Sequence, residues 1–73
     1  MAARWNPLTE REREVLRQMA QGLSNKEIAR QLGFTIRTVE FHVGNLLRKL
    51  GVASRLEAVM WAREHGFLPG QRE

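Results

Sequence analysis

Apolar residues recur at helical spacing in four segments of this chain, and no segment shows the alternation typical of a strand. In the first segment, Val15, Leu16, Met19 and Leu23 repeat every three or four positions. Glycine follows each segment, as is common after the last turn of a helix: Gly22, Gly33, Gly51 and Gly66. The pattern therefore predicts four short helices around one small core.

A hydroxyl residue precedes each segment, in the position of a helix N-cap. In three segments a glutamate follows three positions later, which predicts capping boxes at Thr9 with Glu12, Ser24 with Glu27 and Ser54 with Glu57. The predicted helices run from Thr9 to Gly22, from Ser24 to Gly33, from Thr35 to about Leu50, and from Ser54 to Gly66.

The connection between the second and third helices is unusually short. Only about two residues, Gly33 and Phe34, join them, and a glycine turn this tight makes two helices cross steeply, as in a helix-turn-helix. We predict an all-α, compact four-helix domain in which helices two and three form a helix-turn-helix. It is a single domain over residues 1–73, with its core in 8–68.

The charge balance favours an anionic partner. Lys and Arg total 12 against 8 acidic residues, the net charge is +4 and the isoelectric point is near 11.1. Nucleic-acid-binding domains show this footprint, and so do other proteins. Cysteine and aspartate are absent, and no nucleophile–base set can be assembled, so we predict no enzyme, metal, cofactor or small-molecule ligand. The apolar runs are too short for a membrane span, and a cytoplasmic location is expected.

The third helix has two different faces when its side chains are placed about 100° apart. The apolar side, expected to be buried, holds Ile36, Val39, Val43, Leu46, Leu47 and Leu50. The opposite side holds Arg37, Glu40, Phe41, Gly44 and Arg48. An outward Phe41 either packs on a neighbouring loop or contacts a thymine methyl group in the major groove. Gly44 is either a tolerated surface glycine or a point of close approach to DNA.

Several polar residues around this helix are candidate phosphate contacts, each with a simpler alternative. Lys26 opens the second helix, and the alternative is that it is a solvated surface lysine. For Arg48 and Lys49 the alternative is a favourable interaction with the C-terminal end of the third helix. His42 lies at the edge of the buried stripe, where a structural histidine is the alternative. The full set is Asn25, Lys26, Thr38, His42, Arg48 and Lys49.

The fourth helix is apolar nearly all round, which exceeds what one core-facing stripe requires. We interpret the surplus as a two-fold contact between copies through Leu56, Met60 and Trp61. The alternative is that Met60 and Trp61 cover the small core, together with Trp5.

Four motifs in order resemble the LuxR-type (GerE, NarL/FixJ) helix-turn-helix domain, over roughly Leu8 to Leu68. They are Leu8-Thr9-Glu10-Arg11-Glu12-Arg13-Glu14-Val15-Leu16, Gly22-Leu23-Ser24-Asn25-Lys26-Glu27-Ile28-Ala29, Thr38-Val39-Glu40-Phe41-His42-Val43 and Leu47-Arg48-Lys49-Leu50-Gly51-Val52.

The resemblance implies a bacterial transcription regulator, often the output module of a response regulator, with the third helix in the major groove and the fourth in dimerisation. It places Arg37, Thr38, Glu40, Phe41 and Gly44 towards the groove, and Asn25, Lys26, His42 and Lys49 towards phosphate. Positions 40 and 44 often carry cationic residues in the family, whereas this chain has Glu40 and Gly44. Glutamate can accept a hydrogen bond from cytosine N4, or it can repel phosphate.

Together these features predict sequence-specific binding of double-stranded DNA by residues 35–50, as a dimer on an operator with two half-sites, in the bacterial nucleoid. RNA polymerase is a further expected partner. The alternatives are a promoter-reading domain of a sigma factor and a small helical module that binds proteins through its fourth helix.

Overall fold

A computed structural model describes residues 8–66, which form four helices joined by short turns. The helices are α1 (Glu10–Ala20), α2 (Asn25–Leu32), α3 (Ile36–Leu50) and α4 (Arg55–Glu64). Each helix begins one residue after the hydroxyl residue predicted to cap it, and residues 8–66 contain no strand. The predicted all-α fold is therefore confirmed. Helix α3 ends at Leu50 as predicted, and the other three helices end one or two residues before the predicted glycines.

The N-caps match the sequence pattern in α1 and α2 and depart from it in α4. Thr9 and Ser24 each form both halves of a capping box. Ser54 Oγ accepts from the N–H of Glu57 at 3.1 Å, but the Glu57 carboxylate accepts from the N–H of Ala53 at 2.8 Å. The predicted capping box at Ser54 is therefore confirmed in the bond to Glu57 N–H and wrong in the return bond from the glutamate side chain. Ser54 has φ −144°, far more extended than the other two caps, so the amide of Ala53 faces the first turn instead.

Helices α1 and α3 each pack against all three other helices, and α1 supplies much of the core. Its Val15 and Leu16 are completely buried. The core is formed by Leu8, Val15, Leu16, Met19, Ala20, Ile28, Ala29, Val39, Leu46, Leu50, Ala58, Trp61 and Ala62. Burying these side chains is the main stabilising term for a domain this small.

The turn between α2 and α3 has the predicted form. Gly33 adopts φ +75°, a left-handed conformation that is costly for residues with a Cβ atom. The N–H of Phe34 donates to the carbonyl of Ala29 at 2.9 Å, and Thr35 then caps α3. Three residues thus join the two helices, and α2 packs directly on α3 as a helix-turn-helix.

A buried carboxylate ties the first turn of α1 to the last turn of α3. Glu12 is 3% exposed, and its Oε1 accepts from the backbone N–H of Thr9 and from Lys49 Nζ, each at 2.9 Å. Burial by itself raises the pKa of Glu12. The hydrogen bonds from Lys49 and Thr9, together with the charge of Lys49, outweigh it and hold that pKa below its usual 4.5. The ionised form is therefore the one that the fold stabilises.

Replacing this carboxylate with an amide tests its contribution. Glu12→Gln keeps an acceptor for Thr9 but removes the charge opposite Lys49, and we expect a loss of about 1–3 kcal/mol in unfolding free energy at pH 7. Because the folded pKa is depressed, the difference from the parent chain persists above pH 4.5 and disappears as the pH falls through the folded pKa. Urea unfolding at several pH values measures it.

Glu14→Gln is the matched control for this measurement. Glu14 pairs with Arg11 on the surface, where both side chains are well exposed, so we expect a change within about 0.5 kcal/mol. A Glu12→Gln penalty that is independent of pH would contradict the role assigned to the charge.

Candidate nucleic-acid interface

The two faces of α3 differ sharply in exposure. Val39, Leu46 and Leu50 are fully buried, whereas Phe41 is 66% exposed. Arg37, Glu40 and Arg48 are exposed on the same outer side. The inward and outward stripes of α3 thus follow the sequence pattern, because helical periodicity leaves no other placement once the apolar stripe is buried.

Ile36 is an exception to the predicted stripe. The apolar pattern predicts that it is buried, but it is 43% exposed. The prediction is wrong because Ile36 is the first residue of α3, one turn before the first fully buried residue, Val39.

Phe41 belongs to a chain of ring contacts that begins in α1. The guanidinium of Arg11 lies 5.0 Å from the ring centre of Phe34, and the Phe34 and His42 rings are 5.6 Å apart. The ring of His42 meets that of Phe41 at 5.8 Å, edge to face. We call Arg11, Phe34, His42 and Phe41 the aromatic row. It supports one side of Phe41 and leaves most of that ring exposed.

His42 is partly structural. Its Nδ1 is buried and has no hydrogen-bond partner among residues 8–66, so a proton there would lack an acceptor. The His42 ring thus packs in the aromatic row, as the structural interpretation held, and its contact with phosphate stays a prediction.

Two candidate phosphate contacts are free to donate outwards. Lys26 is exposed in the first turn of α2. Thr35 Oγ1 donates to Thr38 Oγ1 at 3.0 Å, so the hydroxyl oxygen of Thr38 acts as acceptor within the domain. The proton of that hydroxyl remains available to an external oxygen.

The other three candidates have partners inside the domain. Lys49 Nζ pairs with Glu12, and Arg48 donates to Asn45 Oδ1 one turn earlier in α3. Asn25 Oδ1 accepts from Arg55. Each of these three side chains is therefore engaged within the domain, and Lys49 has a structural task in holding α1.

Gly44 lies mid-helix in open space. A Cβ atom built on it meets no heavy atom within 4 Å, and its φ is that of an ordinary helix residue. Packing within residues 8–66 therefore does not require a glycine here.

The predicted dimer contact on α4 needs one correction. Leu56 and Met60 are 67% and 52% exposed, but Trp61 is 8% exposed and belongs to the core. Its ring stacks on His65 at 3.9 Å, and His65 Nδ1 lies 2.8 Å from the Trp61 carbonyl oxygen. Trp61 therefore covers the core, as the alternative interpretation held, whereas Trp5 lies outside the described residues. Leu56 also lines an open groove of about 530 Å³ with Met19, Leu23 and Val59.

Similarity to known proteins identifies the family. The family "Bacterial regulatory proteins, luxR family" (GerE) matches residues 6–62. The chain belongs to the luxR family. It is 49% identical over 59 residues to the nitrate/nitrite response regulator NarL of Escherichia coli K12, covering 81% of this chain and 27% of NarL.

Two further relatives agree with this assignment. The response regulator VraR of Staphylococcus aureus Mu3 is 49% identical over 61 residues, covering 84% of this chain and 29% of VraR. The solved structure of the transcription factor GerE aligns with a TM-score of 0.74 at 38% identity, covering 84% of this chain and 91% of that one. The chain thus spans less than a third of the length of NarL and VraR.

As a luxR-family domain, the chain is a DNA-binding helix-turn-helix regulator module and not an enzyme. No helix within residues 8–66 has the length and apolar character needed to cross a membrane. The same residues contain no cluster of three or more histidine and acidic side chains suited to a metal ion.

Sequence reasoning missed the partners that hold the interface in place. Arg55 reaches from α4 to Asn25 and to the carbonyl of Leu23, and Glu12 reaches from α1 to Lys49. These pairs are 30 or more positions apart, beyond any local pattern. The motifs of the family resemblance include both Glu12 and Lys49, but a motif does not show that two of its residues are in contact.

Gly44→Ala separates stability from DNA binding. Because the new methyl group meets open space in a regular helix, we expect a gain of about 0.5–1 kcal/mol in unfolding free energy. If α3 approaches DNA closely at Gly44, the same methyl group weakens duplex binding. Thermal unfolding and fluorescence anisotropy with duplex DNA measure the two effects.

Gly33→Ala is the matched control, since it also adds a methyl group in open space. There φ is +75°, so we expect a loss of about 1–2 kcal/mol. A Gly44→Ala chain that binds DNA as tightly as its parent would contradict close approach at this position.

Proposed function

We propose that this domain binds double-stranded DNA with sequence preference by placing α3 in the major groove. The observation that carries the proposal is the outer stripe of α3, where Arg37 and Phe41 project opposite the fully buried Val39. A large ring held 66% exposed on a helix is unfavourable in water, whereas a thymine methyl group would cover it. Arg37 offers the two-pronged donor that suits guanine O6 and N7.

Glu40 and Gly44 give this stripe a character different from that of cationic relatives. Glu40 is exposed beside Phe41 and accepts from cytosine N4, while Gly44 lets the helix backbone come close to the groove. Base recognition is therefore assigned to Arg37, Glu40, Phe41 and Gly44.

Phosphate contacts hold the domain in register on the duplex. Lys26 and Thr38 are the primary contacts because neither side chain donates to another group within residues 8–66. Asn25 and His42 contribute an amide and Nε2. Arg48 and Lys49 add positive charge near the backbone while keeping their internal partners.

The proposed biological role is that of the output module of a bacterial response regulator, acting in the cytoplasm on nucleoid DNA. This rests on the resemblance to NarL and VraR, which are longer response regulators. RNA polymerase is the expected partner downstream.

Mutation of one phosphate contact and two base contacts tests DNA recognition. With about five phosphate contacts, log Kd changes against log salt with a slope of magnitude about 4–5. Lys26→Ala should weaken binding to all duplexes alike and reduce that slope by about 1, whereas Phe41→Ala and Arg37→Ala should also relax base preference. Selection from a random duplex pool, followed by anisotropy titrations, measures both effects.

Arg30→Ala removes another exposed charge from α2 and is the control for Lys26→Ala. Equal losses for Lys26, Phe41 and Arg37 variants with unchanged base preference would show that α3 does not recognise bases.

Dimerisation through α4 is part of the proposed mode of binding. Leu56 and Met60 are four positions apart, so their exposed side chains lie on one face of the helix. A two-fold contact there places two recognition helices about 34 Å apart, one turn of DNA.

We expect two chains per duplex on a selected site with two half-sites, and one chain per duplex for Met60→Glu. Analytical ultracentrifugation with and without this DNA makes the measurement, with Glu64→Ala as a control on the same helix. One chain per palindromic duplex for the parent protein would overturn the proposed dimer. A stable complex with another protein in place of DNA would favour the alternative function, a helical module that binds proteins through α4.

A further inference from the structure

Arg55 makes a polar link between α4 and the start of α2. Its Nη1 donates to Asn25 Oδ1 and its Nη2 to the carbonyl of Leu23, both at 2.7 Å. The α2 and α4 backbones do not otherwise pack against each other in this part of the chain. The fork of the guanidinium thus bridges α4 and the start of α2.

This contact decides which way the Asn25 amide faces. Arginine carries donors only, so the end of the amide that meets Arg55 must be the oxygen. The Nδ2 group, with its two donors, is directed away from Arg55, and no group among residues 8–66 accepts from it. Asn25 is partly exposed and adjacent to Lys26, whose ammonium group is solvated.

We propose that Arg55 is a positioning residue for DNA binding: it holds the oxygen of Asn25 so that the amide nitrogen donates to a backbone phosphate. This inference rests on the proposed function, because it requires α2 to lie along the DNA backbone. In this role Arg55 acts through Asn25, to which one of its N–H groups is committed, and not as a phosphate contact itself.

The amide-to-carboxylate variant Asn25→Asp distinguishes this role from a structural one. The new carboxylate keeps an acceptor for Arg55 and gains a charge-assisted bond, so the melting temperature should stay equal or rise. The variant loses both donors towards DNA, and a lost hydrogen bond to a charged group corresponds to a decrease in affinity of about tenfold or more. Gln21→Glu makes the same chemical change at an exposed site nearby and controls for the added negative charge.

A double-mutant cycle tests whether Arg55 acts through Asn25. Arg55→Met should weaken binding several-fold in the parent chain and have no further effect in an Asn25→Ala background. Arg63→Met removes an exposed positive charge from the same helix and should have the same small effect in both backgrounds. The probe is a duplex of mixed sequence, about 20 base pairs long, because phosphate contacts do not depend on the operator.

The outcomes are distinct. Failure of the parent chain to bind this duplex in dilute salt overturns the proposed function itself. If the parent binds but Asn25→Asp binds the duplex equally well, the positioning role is overturned. It is also overturned if Arg55→Met lowers the affinity as much in the Asn25→Ala background as in the parent chain. Thermal unfolding accompanies each titration, and if Arg55→Met does not fold, the Asn25→Asp comparison decides alone.

Discussion

Helix α3 must serve two surfaces at once, and the rest of the structure depends on this constraint. The domain has few residues with which to build a core, so it needs Val39, Leu46 and Leu50 completely buried. A helix that turns about 100° per residue then has to present Arg37 and Phe41 on its opposite side. Stability of the fold and exposure of the outer stripe of α3 are therefore two consequences of the same packing.

Polar contacts between distant residues set how the helices are held around this core. Glu12 binds Lys49 and so joins the start of α1 to the end of α3, while Arg55 joins α4 to the start of α2. Several basic residues are thus engaged within the domain, and counting positive charges overstates the surface available to DNA. The exposed Lys26 and Arg37 differ from them in being directed to solvent.

Membership of the luxR family fixes the class of function, whereas the outer stripe of α3 gives this chain its individual properties. Glu40 and Gly44 place no positive charge on this stripe, so the proposed phosphate contacts rely on α2 and on other positions of α3. The supporting contacts differ in kind, because the aromatic row holds Phe41 through rings whereas Arg55 holds Asn25 through hydrogen bonds.

The sequence by itself determined the four helices, their caps and the two faces of α3, because these follow from contacts three or four positions apart. The prediction of burial was wrong for Ile36, and the predicted capping box at Ser54 lacks its second half. Trp61 was predicted in a contact between copies but lies in the core. Burial at a helix end or on an all-apolar helix depends on which neighbour packs there. Only the tertiary structure decided that Lys49 turns to Glu12 and that Asn25 turns to Arg55. A side chain's partner across 30 or more positions is set by how the helices pack, and no local periodicity carries that information.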